Sequence, residues 1–580
     1  MALTGIPRGE YPRPQFVRPE WLCLNGPWQF EVDQGDDGLE RGLLDRDLRG
    51  EITVPFCPEA PLSGVGVSDF MRAVWYRRTL TVPEAWTGRR LLLHFQAVDY
   101  DATVWVNGAE ARRHRGGFTP FTCDLAGIAR PGEPITIVVR ARDDHRPPQP
   151  RGKQSQWPAN YGPFYTRTTG IWQTVWMEPV PEPALRRPRL TPDLAGGTIR
   201  LEQPVSANRP GLRLRARLSD SEGEVCVAEC DCELDLTPRV DLAIPAARRH
   251  PWSPGSPHLY DLAVELLDGA GATVDAARSY AGLRGVAIDG EKLKLNGHEL
   301  FQRLVLDQGY YPEGVMTAPS DEDLRRDIEL ALAAGFNGAR LHQKVFEERF
   351  LYHADRLGYL VWGEFGDWGR DAIASGGAGQ EFGAAYVTQW LEALERDYSH
   401  PCIVGWCPLN ETIGELGDRM TVLEDVTLGM FLATRAMDLT RPVIDASGYS
   451  HRVSEADVYD THDYEQDPDR FRVHHAGSPR APMSVPYRGQ PFLVSEFGGT
   501  RWSPDAGRDD GSWGYGDTPA TQEDFYERFE RLCGALLDNP RVSGYCYTQL
   551  TDVYQEQNGL YTFDRKPKFD LARLRRAQRV

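Results

Sequence analysis

Around Val286 the spacing of apolar residues changes. Upstream they recur at every second position; downstream, short apolar runs alternate with helix-period stretches, and this limits the fold more than any other feature. Ser320, with Asp323 three residues on, reads as a capping box; Leu324, Ile328 and Ala331 then share one helical face, and Gly335 stops the helix. Residues 336–341 follow as a strand. A second helix puts Phe346, Phe350, Ala354 and Leu357 on one face before Gly358, and YLVWGE (359–364) is the next strand. A third helix carries Tyr386, Trp390 and Ala393. Such alternation makes parallel βαβ units, so residues 286–580 suit a (β/α)8 TIM barrel of about 250 residues with insertions.

Upstream, residues 24–180 read as short strands with turn punctuation. TVWVNG (103–108) ends in an Asn-Gly turn signal, and WYRRTLTV (75–82), LLLHF (91–95), ITIVV (135–139) and IWQTVWM (171–177) are further strands. The proline-rich stretch 178–183 is expected to be a stiff joint. LRLRARL (212–218) and YDLAVELL (260–267) alternate at period two in a second β block. The expected architecture is a jelly-roll-like β-sandwich (1–183), an immunoglobulin-like β-sandwich (184–285) and the barrel (286–580).

A net charge of −19 over 580 residues, with no basic run, argues against nucleic acid. The N-terminus lacks a basic start followed by an apolar stretch, and no run of about 18 uncharged apolar residues occurs; neither export nor a membrane span is expected, and the location reads as cytoplasmic. Ten cysteines without an export signal read as reduced thiols. The cluster Cys226, Cys230 and Cys232 lacks zinc-ligand spacing and a nearby histidine, so no metal and no cofactor is expected.

Two barrel segments carry the chemistry. HPCIVGWCPLNE (400–411) and PFLVSEFGG (491–499) are apolar runs that deliver Glu411 and Glu496 at the tip of a buried strand, where a barrel presents catalytic groups. Two carboxylates brought together there can hydrolyse a glycosidic bond, with retention of configuration if they stand about 5–5.5 Å apart. Alone, a glutamate ending a strand is usually solvated or ion-paired.

Further motifs accompany them: LNGPWQF (24–30), VWVNG (104–108), TGIWQTVWMEPV (169–180), WSPGSPHLYDL (252–262), GFNGARLHQ (335–343) and LGYLVWGE (357–364). Together these resemble glycoside hydrolase family 2, the group of β-galactosidases, β-mannosidases and β-glucuronidases, over nearly the whole chain. The resemblance implies that Glu411 is the acid/base ending strand four and Glu496 the nucleophile ending strand seven. It implies that Asn410 contacts the sugar 2-hydroxyl, that Arg340 keeps the nucleophile ionised, and that Tyr464 hydrogen-bonds it. The chain departs from the family pattern at Ser399, at Thr412-Ile413 and at Leu304. β-Glucuronidases carry an Asn-x-Lys element that reads the substrate carboxylate. Here the corresponding region has Asn558 followed by Gly559 and Leu560, which disfavours a glucuronide.

Other candidates have two readings each. Glu364 tunes or positions the site; His342 and His462 either bind sugar hydroxyls or are satisfied polar residues. Trp362, Trp406, Tyr547 and Gln549 sit on presumed strand ends, where an aromatic ring stacks on a sugar or is core. Trp502 and Trp513, in the Gly-rich loop 500–520, either line the leaving-group side or belong to an excursion. The resulting expectation is a retaining exo-β-glycosidase, β-galactosidase-like, acting on a carbohydrate; mannose, arabinose, xylose and galactofuranose are compatible too. The competing class is a non-catalytic carbohydrate-binding protein, against which stand both carboxylates and Arg340. A homo-oligomer through the β-domains stays open.

Overall fold

The computed structural model describes residues 5–144, 149–368, 383–414, 416–479, 483–503 and 511–580. The first unit packs a four-stranded sheet (Leu22–Cys23, Val175–Val180, Arg90–Phe95, Phe121–Asp124, in that order) against a six-stranded one containing Ala73–Thr81, Pro134–Arg142 and Asp101–Val106. Trp28, Tyr76, Leu93, Val104 and Ile137 fill the space between. At the expected Asn-Gly turn both residues have positive φ (52° and 79°), and Val106 faces Ala109 across the two-residue loop.

The sequence 171–177 does not run as one strand. It breaks after Ile171 because Trp172 turns its ring out of the sandwich, donating its indole N–H to the Gly117 carbonyl at 2.7 Å, while Thr317 of the barrel binds the Trp172 carbonyl. The expected joint is also partly strand: Glu178, Pro179 and Val180 pair with Leu92, Leu91 and Arg90, and buried Glu178 is ion-paired with Arg13 and Arg18. The second unit is an antiparallel sandwich of three strands (Arg189–Asp193, Thr198–Glu202, Arg239–Ala243) and four (Arg213–Asp220, Gly223–Asp231, Tyr260–Leu267, Thr273–Ala281). All ten cysteines are free thiols.

The barrel begins after a small three-stranded sheet (286–299). Its parallel strands are β1 (Gln302–Asp307), β2 (Gly338–Leu341), β3 (Leu360–Glu364), β4 (Ile403–Cys407), β5 (Tyr459–Asp463), β6 (Phe492–Gly498) and β7 (Val542–Thr548), hydrogen-bonded in the order β4-β3-β2-β1-β7-β6-β5. The segment 442–447 fills the gap between β4 and β5. It bridges β4 and the residues beyond it through Trp406–Val443 and Asn410–Ser447, and on its other side the Val443 carbonyl accepts from Asp457 N–H. Counted as a position in the ring, it makes β6 the seventh. Helices α1 (Asp321–Ala334), α2 (Glu348–Leu357), α3 (Ala384–Asp397), α4 (Val422–Met437), α5 (Pro468–His475) and α6 (Gln522–Leu537) pack outside. The Ser320 side chain caps α1 by accepting from Asp323 N–H, and Gly335 (φ 105°) and Gly358 (φ 70°) close α1 and α2 as left-handed caps. Among the described residues no helix is long and apolar enough to cross a membrane.

Candidate active site

The open end of the barrel gathers charged residues from five strand ends, β2 to β6. Arg340, at the end of β2, is 2% exposed and donates to Glu496 Oε1 at 2.9 Å, to the Ser495 carbonyl at 3.0 Å, to Glu364 and to Asn410. Strand alternation turns these side chains inward: β2 points Arg340 and His342 to the axis, β3 Glu364, and β6 Glu496. Burial opposes charge on this guanidinium, but Glu364 and Glu496 outweigh it and hold Arg340 well above the ordinary arginine value. Burial raises the Glu364 carboxyl, and Arg340 restrains that rise.

Glu411 and Glu496 meet. An oxygen of each lies with a His462 nitrogen in a cluster whose atoms are all within 4.8 Å of one another. His462 Nδ1 is 2.7 Å from Glu411 Oε1, and its Nε2 is 3.4 Å from Glu496 Oε1 and 3.0 Å from Ser447 Oγ. Burial opposes charge on this imidazole, but the two carboxylates outweigh it and raise its pKa above 6.5. Burial would raise Glu411 as well; His462 and the Trp368 indole N–H, 3.0 Å from Glu411 Oε2, hold it below the ordinary value. The backbone of Glu411 is left-handed, φ 47°, fixed by its N–H donating to the Ser447 carbonyl at 2.8 Å. Such conformations cost energy and persist where surrounding structure imposes them.

Glu496 receives different partners. Besides Arg340 it accepts a hydrogen bond from Tyr464 Oη, whose pKa burial and Glu496 push far up, so this phenol keeps its proton. The Tyr464 ring stacks on Tyr515 at 3.4 Å and 6°. His342 Nδ1 lies 3.1 Å from Glu364 and 3.9 Å from Glu496; burial, then the charge of Lys153, depress its pKa and leave it neutral.

Six residues named with the two carboxylates therefore stand around them: Asn410, Arg340, Tyr464, His462, His342 and Glu364. Others do not. Tyr547 sits on the helix side of β7, its ring 5.0 Å from Phe529 of α6 and 5.5 Å from Phe497, because strand alternation turns Cys546 and Thr548 inward instead. Trp502 packs on Phe569, which is stacked on Phe525 of α6, so its ring belongs to the outer shell. Trp362 hydrogen-bonds Gln302 at the start of β1, and Trp406 reaches Asp438 behind α4; both are core. Gln549 is fully buried between Gln308 and Asn558. Part of the 500–520 loop lies outside the described residues; Trp513 is within them and meets Tyr515 edge-on at 5.6 Å. Sequence reasoning missed Trp368, Tyr515, Ser447 and Lys153, none of which ends a strand. Asp355, His400 and Cys402 also cluster at metal-ligand distance, but His400 Nδ1 and Cys402 N–H both bind the Asp355 carboxylate inside the core.

Comparison with known proteins bears on this geometry. Residues 22–145 match the family model "Glycosyl hydrolases family 2, sugar binding domain", and residues 184–284 match "Glycosyl hydrolases family 2". Both β-sandwich units thus match glycoside hydrolase family 2, and the relatives support that family for the chain. The same matches support a glycosidase. The chain is 26% identical over 440 residues to the β-glucuronidase of Paenibacillus borealis, covering 69% of each chain. To the β-galactosidase of Thermoanaerobacter pseudethanolicus it is 25% identical over 366 residues, 60% of this chain and 46% of that one. The structure of the β-glucuronidase from Ruminococcus gnavus in complex with D-glucuronic acid shares the fold, with a TM-score of 0.76, 19% identity and coverage of 99% of this chain and 100% of that one.

Proposed function

We propose that the protein is a retaining exo-β-glycosidase acting by double displacement, with Glu496 as nucleophile and Glu411 as acid/base. The single observation that carries this reading is the asymmetry of the adjacent carboxylates. Glu496 is held by a guanidinium and a phenol, partners that stabilise an anion. Glu411 is held by an imidazole carrying a proton. Oxygens of the two within 4.8 Å favour the short carboxyl separation of a retaining enzyme, about 5–5.5 Å, over the roughly 6.5–9.5 Å of an inverting one.

In the first step a Glu496 oxygen bonds to the anomeric carbon while the bond to the leaving oxygen breaks. That oxygen takes the proton of the Glu411–His462 pair through Glu411. In the second, Glu411 removes a proton from water, the water oxygen bonds to the anomeric carbon, and the ester to Glu496 breaks. Proton transfer of this kind is worth about 10²–10⁴ in rate.

For the sugar, a neutral, galactoside-like ring is favoured over a glucuronide, although several relatives are named β-glucuronidases. Asn558 is tied to Gln549 and Glu556, and Lys568 is paired with Asp552 at 2.8 Å, so neither side chain stands free to read a carboxylate. A panel of nitrophenyl pyranosides and furanosides tests the preference. Glu496→Ala is expected to reduce turnover to background and to form a glycosyl azide when azide is added; turnover at the wild-type rate removes the assignment. Glu411→Gln is expected to slow glycosides with poor leaving groups by about 10²–10⁴.

A further inference from the structure

One basic side chain at the mouth of the site has no part in the two steps above. Lys153 comes from the first sandwich rather than the barrel, and its side chain is 9% exposed. Its ammonium lies 5.5 Å from the Tyr165 ring centre and 5.6 Å from that of Trp368, the residue that donates to Glu411. The paired carboxylate is Glu556, at 3.7 Å beyond hydrogen-bond reach. Among the described residues no acceptor takes a hydrogen bond from this ammonium. Its charge is nevertheless felt in the site, depressing both Glu411 and His342.

Glu556 is 1% exposed and held in place, accepting from the Tyr165 hydroxyl and from Asn558 Nδ2 at 3.3 Å. It balances the charge of Lys153 without using its hydrogens. An ammonium with donors left over at the edge of the site can give one to a ligand oxygen. A carboxylate brought there would meet Glu556 as well, so it gains little net attraction, whereas a hydroxyl needs only the donor.

We propose that Lys153 is a specificity-determining residue: it donates a hydrogen bond to a hydroxyl of the sugar bound at Glu411 and Glu496, and with Glu556 beside it selects neutral over carboxylate-bearing sugars. This rests on the reading of that pair as catalytic. A plain buried ion pair would contribute to stability and leave selectivity untouched.

The test compares wild type, Lys153→Met, Lys153→Gln and Glu556→Gln. Each is assayed for kcat and KM on the neutral aryl glycoside that wild type turns over fastest and on the aryl β-glucuronide. Calorimetry gives the affinity of each protein for the neutral and the carboxylate-bearing form of a basic monosaccharide inhibitor, and thermal unfolding verifies folding. Lys153→Met should raise KM for the neutral substrate about tenfold with a smaller change in kcat, a loss of about 1.4 kcal/mol of binding. Lys153→Gln, which keeps a donor, should fall between. Glu556→Gln, leaving the ammonium unbalanced, should move the kcat/KM ratio about tenfold toward the glucuronide. Unchanged KM and inhibitor affinity in a folded Lys153→Met overturns the proposal, as does wild type that binds the carboxylate form more tightly. Should wild type hydrolyse no aryl glycoside, the reading of the carboxylate pair fails, and the inhibitor titrations still decide the role of Lys153.

Discussion

His462 is where the proton balance of the site is set. With Glu411 it forms a pair that shares one proton, and a pair binds that proton more tightly than either group would alone. His462→Gln leaves Glu411 as the only holder, so the alkaline limb of the kcat/KM profile should move to lower pH; a limb that stays in place would show that His462 takes no part in the titration. Stability should respond too. The His462 pKa is raised in the fold, so its contribution is complete below 6.5 and disappears as pH climbs through the folded value. The variant should lack that decline in chemical denaturation series. Tyr464 and Arg340 could be named from sequence because they sit in motifs. Trp368 and Ser447 could not: their contacts with the Glu411 side chain and backbone are made across separate strand ends, which spacing along the chain does not record.

Neighbouring strands β3 and β4 interlock through two reciprocal contacts. Trp362 lies over Gly405 and Trp406 over Gly363; a Cβ added to either glycine would come within 2.5 Å of the facing indole. Gly405→Ala therefore overfills a packed barrel, and a loss of about 1–3 kcal/mol in denaturant unfolding is expected, with β4 and the attached Glu411 displaced. A second buried lock links the 442–447 segment to β5 and β6. Asp460 pairs with His451, accepts from Ser447 and Ser495, and titrates at about 2, so its contribution persists above the ordinary carboxyl value and is lost only as pH falls through about 2. Asp460→Asn should cost about 1–3 kcal/mol, because the Ser447 and Ser495 hydroxyls lose a charged acceptor while His451 keeps Asp445 at 2.7 Å. Helix and strand periods in residues 286–580 were legible, caps included. The inward or outward sense of each strand end was not, since a bulge reverses it: register slips in β6 pairing separate Glu496 from Tyr547.

At the scale of the whole molecule, the barrel mouth is completed by another unit. Gly152, with φ 58°, donates its N–H to the Gly366 carbonyl at 2.7 Å, and a Cβ there would lie 2.1 Å from the Gln343 carbonyl oxygen. Gly152→Ala must push this segment, and Lys153 with it, away from the barrel; KM should rise more than kcat falls, which steady-state kinetics on aryl glycosides will read. Ten residues on, the Gly162 carbonyl accepts from the Trp513 indole and from Gln555, both in loops beyond barrel strands. The order of two β blocks and a barrel was evident from the chain, because the apolar period changes near Val286 and a proline-rich stretch at 178–183 divides what precedes it. Their mutual docking was not, because it rests on scattered side-chain and backbone contacts with no repeating signal. One kinetic consequence follows from that docking. After dilution from denaturant, reactivation should trail the return of circular dichroism, since a barrel already wound must wait for its neighbour to be seated before its mouth can grip sugar.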